Sequence, residues 1–182
     1  SRGSVISCFV PSPRARTSIV PTANHASRGI VVRSLPNERG MAYNPDTHRL
    51  LIVSRNGPHV YVLDAENGSD LHELNMTGVS GGTYALLMIG AADDGAIYAC
   101  NLTTSASTTP FKLYRWADDS PGTVPTVLFS GDPSPGNNQR WGDTIDVRGA
   151  GQNTQIIIGS RSGTNVAFFS GDGFSFNVDN IN

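Results

Sequence analysis

The sequence predicts an all-β chain, a partial β-propeller of three four-stranded antiparallel blades, and three observations carry that prediction. First, Leu50–Leu63, LLIVSRNGPHVYVL, returns as Ile156–Phe169, IIIGSRSGTNVAFF. Both copies read as an apolar run, then Ser-Arg-polar-Gly, then a second alternating apolar run, which is the pattern of a β-hairpin. Second, a diverged copy at Ala96–Trp116, with its turn enlarged into a Ser/Thr-rich loop, makes the hairpin recur at a spacing of roughly fifty residues. Third, the apolar spacing is two almost everywhere, and Gly, Asn or Pro interrupts every window long enough for an amphipathic helix.

In chain order, residues 1–35 hold five Arg, three Pro and no acidic residue, a composition unlike the rest. VISCFV is too short for a signal-peptide core. The expectation is a poorly ordered leader or linker, in which only Gly29–Ser34 has the character of an edge strand. From Asn37 the pattern becomes regular. Arg39–Asn44 is a short strand ending in an Asn-Pro-Asp-Thr turn. Arg49–Ser54 and His59–Asp64 form the signature hairpin, and Ala65–Gly68 turns into a polar strand at Asp70–Asn75. Four consecutive strands within residues 37–77 make a meander the size of one propeller blade.

The second blade, residues 82–131, runs through Gly82–Gly90, Ala96–Asn101, Phe111–Trp116 and Thr126–Ser130. The third, residues 139–178, runs through Arg140–Val147, Gln155–Ser160, Asn165–Ser170 and Phe174–Val178. The paired aspartates Asp93, Asp94, Asp118 and Asp119 fall in turns, where Asp favours local backbone bonding.

Composition narrows the function classes. A formal net charge of -2 gives no long-range attraction for nucleic acid, so no nucleic-acid partner is expected. No apolar run is long enough for a membrane-spanning helix. Twelve of the thirteen basic residues are Arg, with Lys112 alone, and the loops are rich in Asn, Ser, Thr and Gly, which suggests an extracellular or periplasmic protein. Two cysteines define no disulfide framework, and Cys100, ending an apolar strand, reads as a buried free thiol. The sequons at Asn67, Asn75 and Asn101 read as chance.

The strings ERGMAYNP (Glu38–Pro45), VYVLDAENG (Val60–Gly68), MIGAADDGAIYACNLTT (Met88–Thr104), KLYRWAD (Lys112–Asp118) and QRWGDTIDVRG (Gln139–Gly149) resemble an uncharacterised bacterial secreted β-propeller family of YVTN-like flavour. The architecture is also distantly similar to six-bladed gluconolactonase-type hydrolases, which hold a divalent cation in the central channel. The first resemblance implies longer relatives with more blades and no particular reaction.

Closed propellers need about four to eight blades. A three-blade arc leaves two open edges and two uncovered apolar faces, which predicts self-association. The simplest closure is a homodimer forming a six-bladed ring; the competing reading is a fragment of a longer propeller.

In such a ring the starts of the innermost strands converge on the mouth of the channel. Those starts are Glu38 and Arg39, Thr83 and Tyr84, and Arg140, Trp141 and Asp143. Two readings of them stand together. As a pocket, Arg39, Tyr84, Arg140 and Trp141 would bind a small polar or anionic ligand. As anchors, the same groups would tie neighbouring blades, with Arg on carboxylate and Trp between sheets. Arg55 and Arg161 read as turn-exposed.

The leading expectation is a binding or scaffold module needing no cofactor. The alternative is a metal-assisted hydrolase of esters, lactones or phosphoesters, with Glu38 and Asp143 as ligands of a Ca or Zn ion or as general base. His25, His48, His59 and His72 fall away from the mouth, so no Ser-His-Asp arrangement is expected.

Overall fold

The computed structural model describes residues 37–171 and the backbone of 176–181. Cys8, His25 and the expected leader with its Gly29–Ser34 strand lie outside the described residues. The chain is all-β. Blade 1 comprises β1 (Glu38–Asn44), β2 (Arg49–Ser54), β3 (His59–Asp64) and β4 (Asp70–Glu73). Blade 2 comprises β5 (Tyr84–Ala91), β6 (Ile97–Leu102), β7 (Phe111–Trp116) and β8 (Thr126–Gly131). Blade 3 comprises β9 (Asp146–Arg148), β10 (Gln155–Gly159), β11 (Val166–Gly171) and β12 (Phe176–Ile181). Each blade is an antiparallel sheet whose strands follow one another in sequence order.

The blades are arranged radially, because their first strands approach one another: β1 packs beside β5, and β5 beside β9. Crowding near the axis explains two small residues. A Cβ added to Gly40 in β1 would lie 2.7 Å from the Met88 Cα in β5. A Cβ added to Gly90 in β5 would lie 2.5 Å from Val147 Cγ2 in β9.

Period-two alternation gives every strand two faces, and the radial arrangement assigns each face a neighbour. Leu51, Val53, Val60 and Val62 of blade 1 bury against Leu86, Ile97, Ala99, Tyr114 and Trp116 of blade 2. Tyr98, Cys100, Phe111 and Leu113, on the other side of blade 2, bury against Trp141, Ile156, Ile158, Ala167 and Phe169. Strand β6 is therefore buried at every position, Ile97 through Leu102. At about 1.5–3 kcal/mol for each large apolar side chain removed from water, these two seams are the main favourable term of the fold.

Polar bolts accompany the seams. The buried Asp119 carboxylate accepts hydrogen bonds from Thr47 Oγ1 (2.5 Å), Arg49 Nη1 (2.8 Å) and Asn44 Nδ2 (3.1 Å), all from blade 1. His72 Nε2 donates to the Asp119 carbonyl at 2.6 Å. Asp118 behaves as its turn position predicts: its Oδ1 accepts from Ser120 N and Thr123 Oγ1, and those bonds hold its carboxyl below the usual range. Asp119 does not, because its side chain turns inward and joins two blades.

One further expectation needs correction. Arg140–Val147 is not one strand: β9 is confined to Asp146–Arg148. Upstream of it, Trp141 pairs instead with Thr103 of blade 2, the two residues exchanging backbone hydrogen bonds of 3.0 Å in each direction. Gly142, at φ 101, then breaks the extended run. The turn after β9 contains a short 3₁₀ helix, Gly151–Asn153.

Removing the buried Asp119 carboxylate takes the shared acceptor from Asn44, Thr47 and Arg49 across the first seam. Asp119→Ala is expected to destabilise the fold by about 3 kcal/mol, read from the urea midpoint. Asp118→Ala, which breaks only a local exposed turn, should shift that midpoint much less.

Candidate functional site

The starts of β1 and β5 and the hairpin turns that carry Ser-Arg-X-Gly share one end of the arc. Glu38 pairs with Ser54 at the end of β2, Tyr84 with Leu102 at the end of β6, and β10 runs out through Gly159 into its turn. Both β1 and β5 are irregular there, with register shifts between Glu38 and Met41 and between Tyr84 and Met88. Such bulges bend a strand and re-aim its side chains.

At this mouth Arg140 and Asp143 form a bidentate pair, with Arg140 Nε and Nη2 each 2.6 Å from one carboxylate oxygen. That pairing raises the affinity of Arg140 for its proton, and nearby Tyr84 adds to the effect. Arg161 Nη1 stands 3.8 Å from Asp143 Oδ1, with its side chain 65% exposed. On the other flank the Arg55 guanidinium lies over the Tyr84 ring, 4.5 Å from its centroid. The result is a row drawn from all three blades, in which Arg55 stacks on Tyr84 and Arg161 flanks the Arg140–Asp143 pair.

The backbone beneath this row is fixed. Arg140 N donates to Ser162 Oγ at 2.8 Å and Arg161 N to the Arg140 carbonyl at 3.1 Å. Buried Gln139 donates through Nε2 to Asn165 Oδ1 at 2.8 Å and accepts through its carbonyl from Ala106 N at 3.1 Å. Residues 139–143 thus staple the β6–β7 loop of blade 2 to the β10–β11 turn of blade 3. Gly142 is required in this staple, since a Cβ there would strike the Asn101 carbonyl.

The residues singled out in the sequence therefore divide. Tyr84, Arg140 and Asp143 come together. Trp141 does not reach the mouth surface: it is wholly buried between blades 2 and 3 beside Phe111, in the anchoring position rather than the ligand-facing one. Arg39 is exposed and turns back to donate to the Glu38 carbonyl at 2.8 Å. Glu38 is half-buried, with Oε1 enclosed and without a hydrogen-bond partner. Among the described residues no hydrogen bond or ion pair links Glu38 to Asp143. Nor do three His, Cys, Asp or Glu side chains gather where they could hold a metal ion, among the described residues.

The described histidines are engaged elsewhere: His48 with the Tyr43 hydroxyl, His59 with Glu73 and His72 with the Asp119 carbonyl. Arg55 and Arg161 are the members that sequence reasoning set aside. Their signal was the repeat itself, since a tight turn of this kind needs its glycine and has no need of arginine.

Behind the row, Cys100 is fully buried, its Sγ 4.0 Å from the Gly142 carbonyl. Burial pushes its thiol from 9.0 up to about 12. Asn101 is also wholly buried, donating to the Pro110 carbonyl, which leaves that sequon no access to a glycan.

The family model that matches this chain, over residues 24–180, is DUF4623, a domain of unknown function, and the chain belongs to that family. Two solved structures are similar. One is a DUF4623 family protein from Bacteroides eggerthii DSM 20697, with 24% identity and a TM-score of 0.64. The match covers 79% of this chain and 35% of that one. The other is the PQQ-bound aldose sugar dehydrogenase from Streptomyces coelicolor, with 22% identity and a TM-score of 0.45, over 75% of this chain and 45% of that one. The chain thus spans about a third of the length of the Bacteroides protein, and that likeness is one of fold. No curated protein matches.

The Cys100 shift gives a prediction with a definite sign. The raised folded-state pKa means that its stabilising contribution is fully present below pH 9 and is lost as the pH rises toward about 12. Stability should fall over that window by on the order of 1.4 kcal/mol per pH unit, and Cys100→Ala should flatten the fall. In the native protein at pH 8 the thiol should resist a thiol reagent until urea unfolds the chain.

Proposed function

We propose that this member of the family is a binding and scaffold module whose ring is completed by a second copy of the chain, with the charged mouth as its ligand-facing end. The observation that carries the reading is a phase difference between the two copies of the repeated hairpin. In blade 1 the buried set is Leu51, Val53, Val60 and Val62, while Leu50, Ile52, Tyr61 and Leu63 stay half-exposed. In blade 3 the positions equivalent to that second set, Ile156, Ile158, Ala167 and Phe169, are wholly buried, and Ile157 is 42% exposed. Each face of the hairpin is thus apolar and is covered wherever a neighbouring blade exists.

The two open faces are complementary in kind. Blade 3 offers the face that elsewhere in the chain receives a following blade, and blade 1 offers the face that receives a preceding one. Cross-strand pairing puts Met41 with Ile52 and Tyr43 with Leu50 on the open side of blade 1, where Met41 is 71% and Tyr43 48% exposed. Acidic Glu73 and Asp70 of the outer strand β4 border that side, while Asp146 and Arg148 of the inner strand β9 border the open side of blade 3. Two copies joined head to tail twice give a closed six-bladed ring with a twofold axis.

A hydrolytic role for Asp143 draws less support. Both of its oxygens already accept from Arg140, and among the described residues no other carboxylate or histidine joins it to form a metal-ligating cluster.

Light scattering on the purified chain should give twice the monomer mass of 19.3 kDa. Met41→Asp and Ile157→Asp each place a charge on one open face, and each should shift the protein toward monomer while its β-sheet circular dichroism is kept. A wild-type chain that stays monomeric at high concentration would overturn the reading.

A further inference from the structure

We propose that Arg55 and Arg161, with Tyr84 and Arg140 between them, form a receptor for the oxyanion group, carboxylate or phosphate, of a small polar molecule. This rests on the reading of the mouth as the ligand-facing end and is independent of ring closure. In this row three guanidinium groups stand against the carboxylate of Asp143, and the neighbouring Glu38 adds a second carboxylate to the mouth. The surplus is local, because the chain as a whole carries a net charge of -2. A polyanion would need an extended basic surface, whereas this row suits a compact anion.

The donors divide between those already used and those still free to bind. Arg140 uses Nε and Nη2 on Asp143, so it positions the row and adds charge. Arg161, at 3.8 Å from Asp143, is outside hydrogen-bond distance and mostly exposed, so its N–H groups face solvent. Among the described residues, the Arg55 side chain has a 3.5 Å contact from Nη2 to Asn37 Oδ1 and no carboxylate partner. Stacking on Tyr84 nevertheless fixes the plane of its guanidinium. A guanidinium lying flat on an aromatic ring keeps its edge donors free, in the fork geometry that matches a carboxylate or phosphate.

Two further features set this row apart from ordinary surface arginines. Arg55 and Arg161 occupy the same position of two copies of one turn, Ser-Arg-X-Gly, in blades that flank the Tyr84 strand. Their backbones are also held in place, Arg161 by the Arg140 carbonyl and Arg55 by that of Asn37. The side chains that would meet the anion are thus carried on turns that do not have to be ordered when it binds.

The test titrates inorganic phosphate and, separately, malonate into the full chain at constant ionic strength set with chloride, following the arginine Nε–Hε resonances. Saturable shifts confined to Arg55, Arg140 and Arg161 are expected with at least one of the two anions, and the stronger of them identifies the oxyanion type. Arg55→Gln and Arg161→Gln should each weaken binding by about tenfold, and the double variant should abolish it. Arg55→Lys, which keeps the charge and loses the flat stack, should bind between wild type and Arg55→Gln. Shifts that do not saturate with either anion, or binding unchanged in the double variant at an unchanged melting temperature, would overturn the proposal. Light scattering on the same samples separates this result from ring closure, which the arginine variants should leave intact.

Discussion

Blade 2 has no free face, and the rest of the molecule follows from that. Its second strand is buried from end to end, with Ile97 and Ala99 in one seam and Tyr98 and Cys100 in the other. A sheet with two apolar faces cannot satisfy both with a single neighbour, so it must stand between two others. Successive sheets of this kind, each twisted, fan around an axis. The closeness of the first strands, with Gly40 against Met88 and Gly90 against Val147, is the inner limit of that fan.

The seams supply non-directional attraction, and the polar groups fix how the blades meet. Asp119 binds three side chains of blade 1 from a turn of blade 2, and Trp116 Nε1 donates across the same seam to the Asn75 carbonyl at 2.8 Å. At the second seam most of the work is done by backbone, through the Thr103–Trp141 bridge and the bond from Ala106 N to the Gln139 carbonyl, and the Asp94 carboxylate adds a bond from Gly151 N at 2.8 Å. Apolar packing alone would tolerate sliding of one sheet over another. A buried carboxylate with three donors, or a two-way backbone bridge, holds one register only.

Much of this was legible in the sequence because strands announce themselves by period and turns by composition. Arg49–Ser54, His59–Asp64 and Phe111–Trp116 begin and end where their patterns do. The failures share a cause. Trp141 has the look of a strand residue and is paired, but its partner is Thr103, far away in the chain, and a pairing made through one bridge leaves no periodic trace. Asp119 looks like its neighbour Asp118, since both are turn aspartates; only the three-dimensional position of Asn44, Thr47 and Arg49 distinguishes them. Period two likewise reveals which residues share a face without revealing whether anything covers it, so the opposite phases of burial in blades 1 and 3 could not be read beforehand.

The arginine row follows from the same logic of duplication. Copying a hairpin copies both what the turn needs and what it carries. The glycine of Ser-Arg-X-Gly answers a demand of its place: Gly57 takes φ 84, and a Cβ on Gly163 would strike Gln139. The arginine answers none: Arg55 and Arg161 make no bond on which their own turn depends, and both side chains lean toward the elements that separate them, Tyr84 and Asp143. A radial fold turns such copies into neighbours around one axis, so residues far apart in sequence become a single charged rim without any helix or loop to bring them there. The anchor and pocket roles are then complementary, since the segment 139–143 that staples blade 3 to blade 2 through its backbone also carries the Arg140–Asp143 pair of the rim.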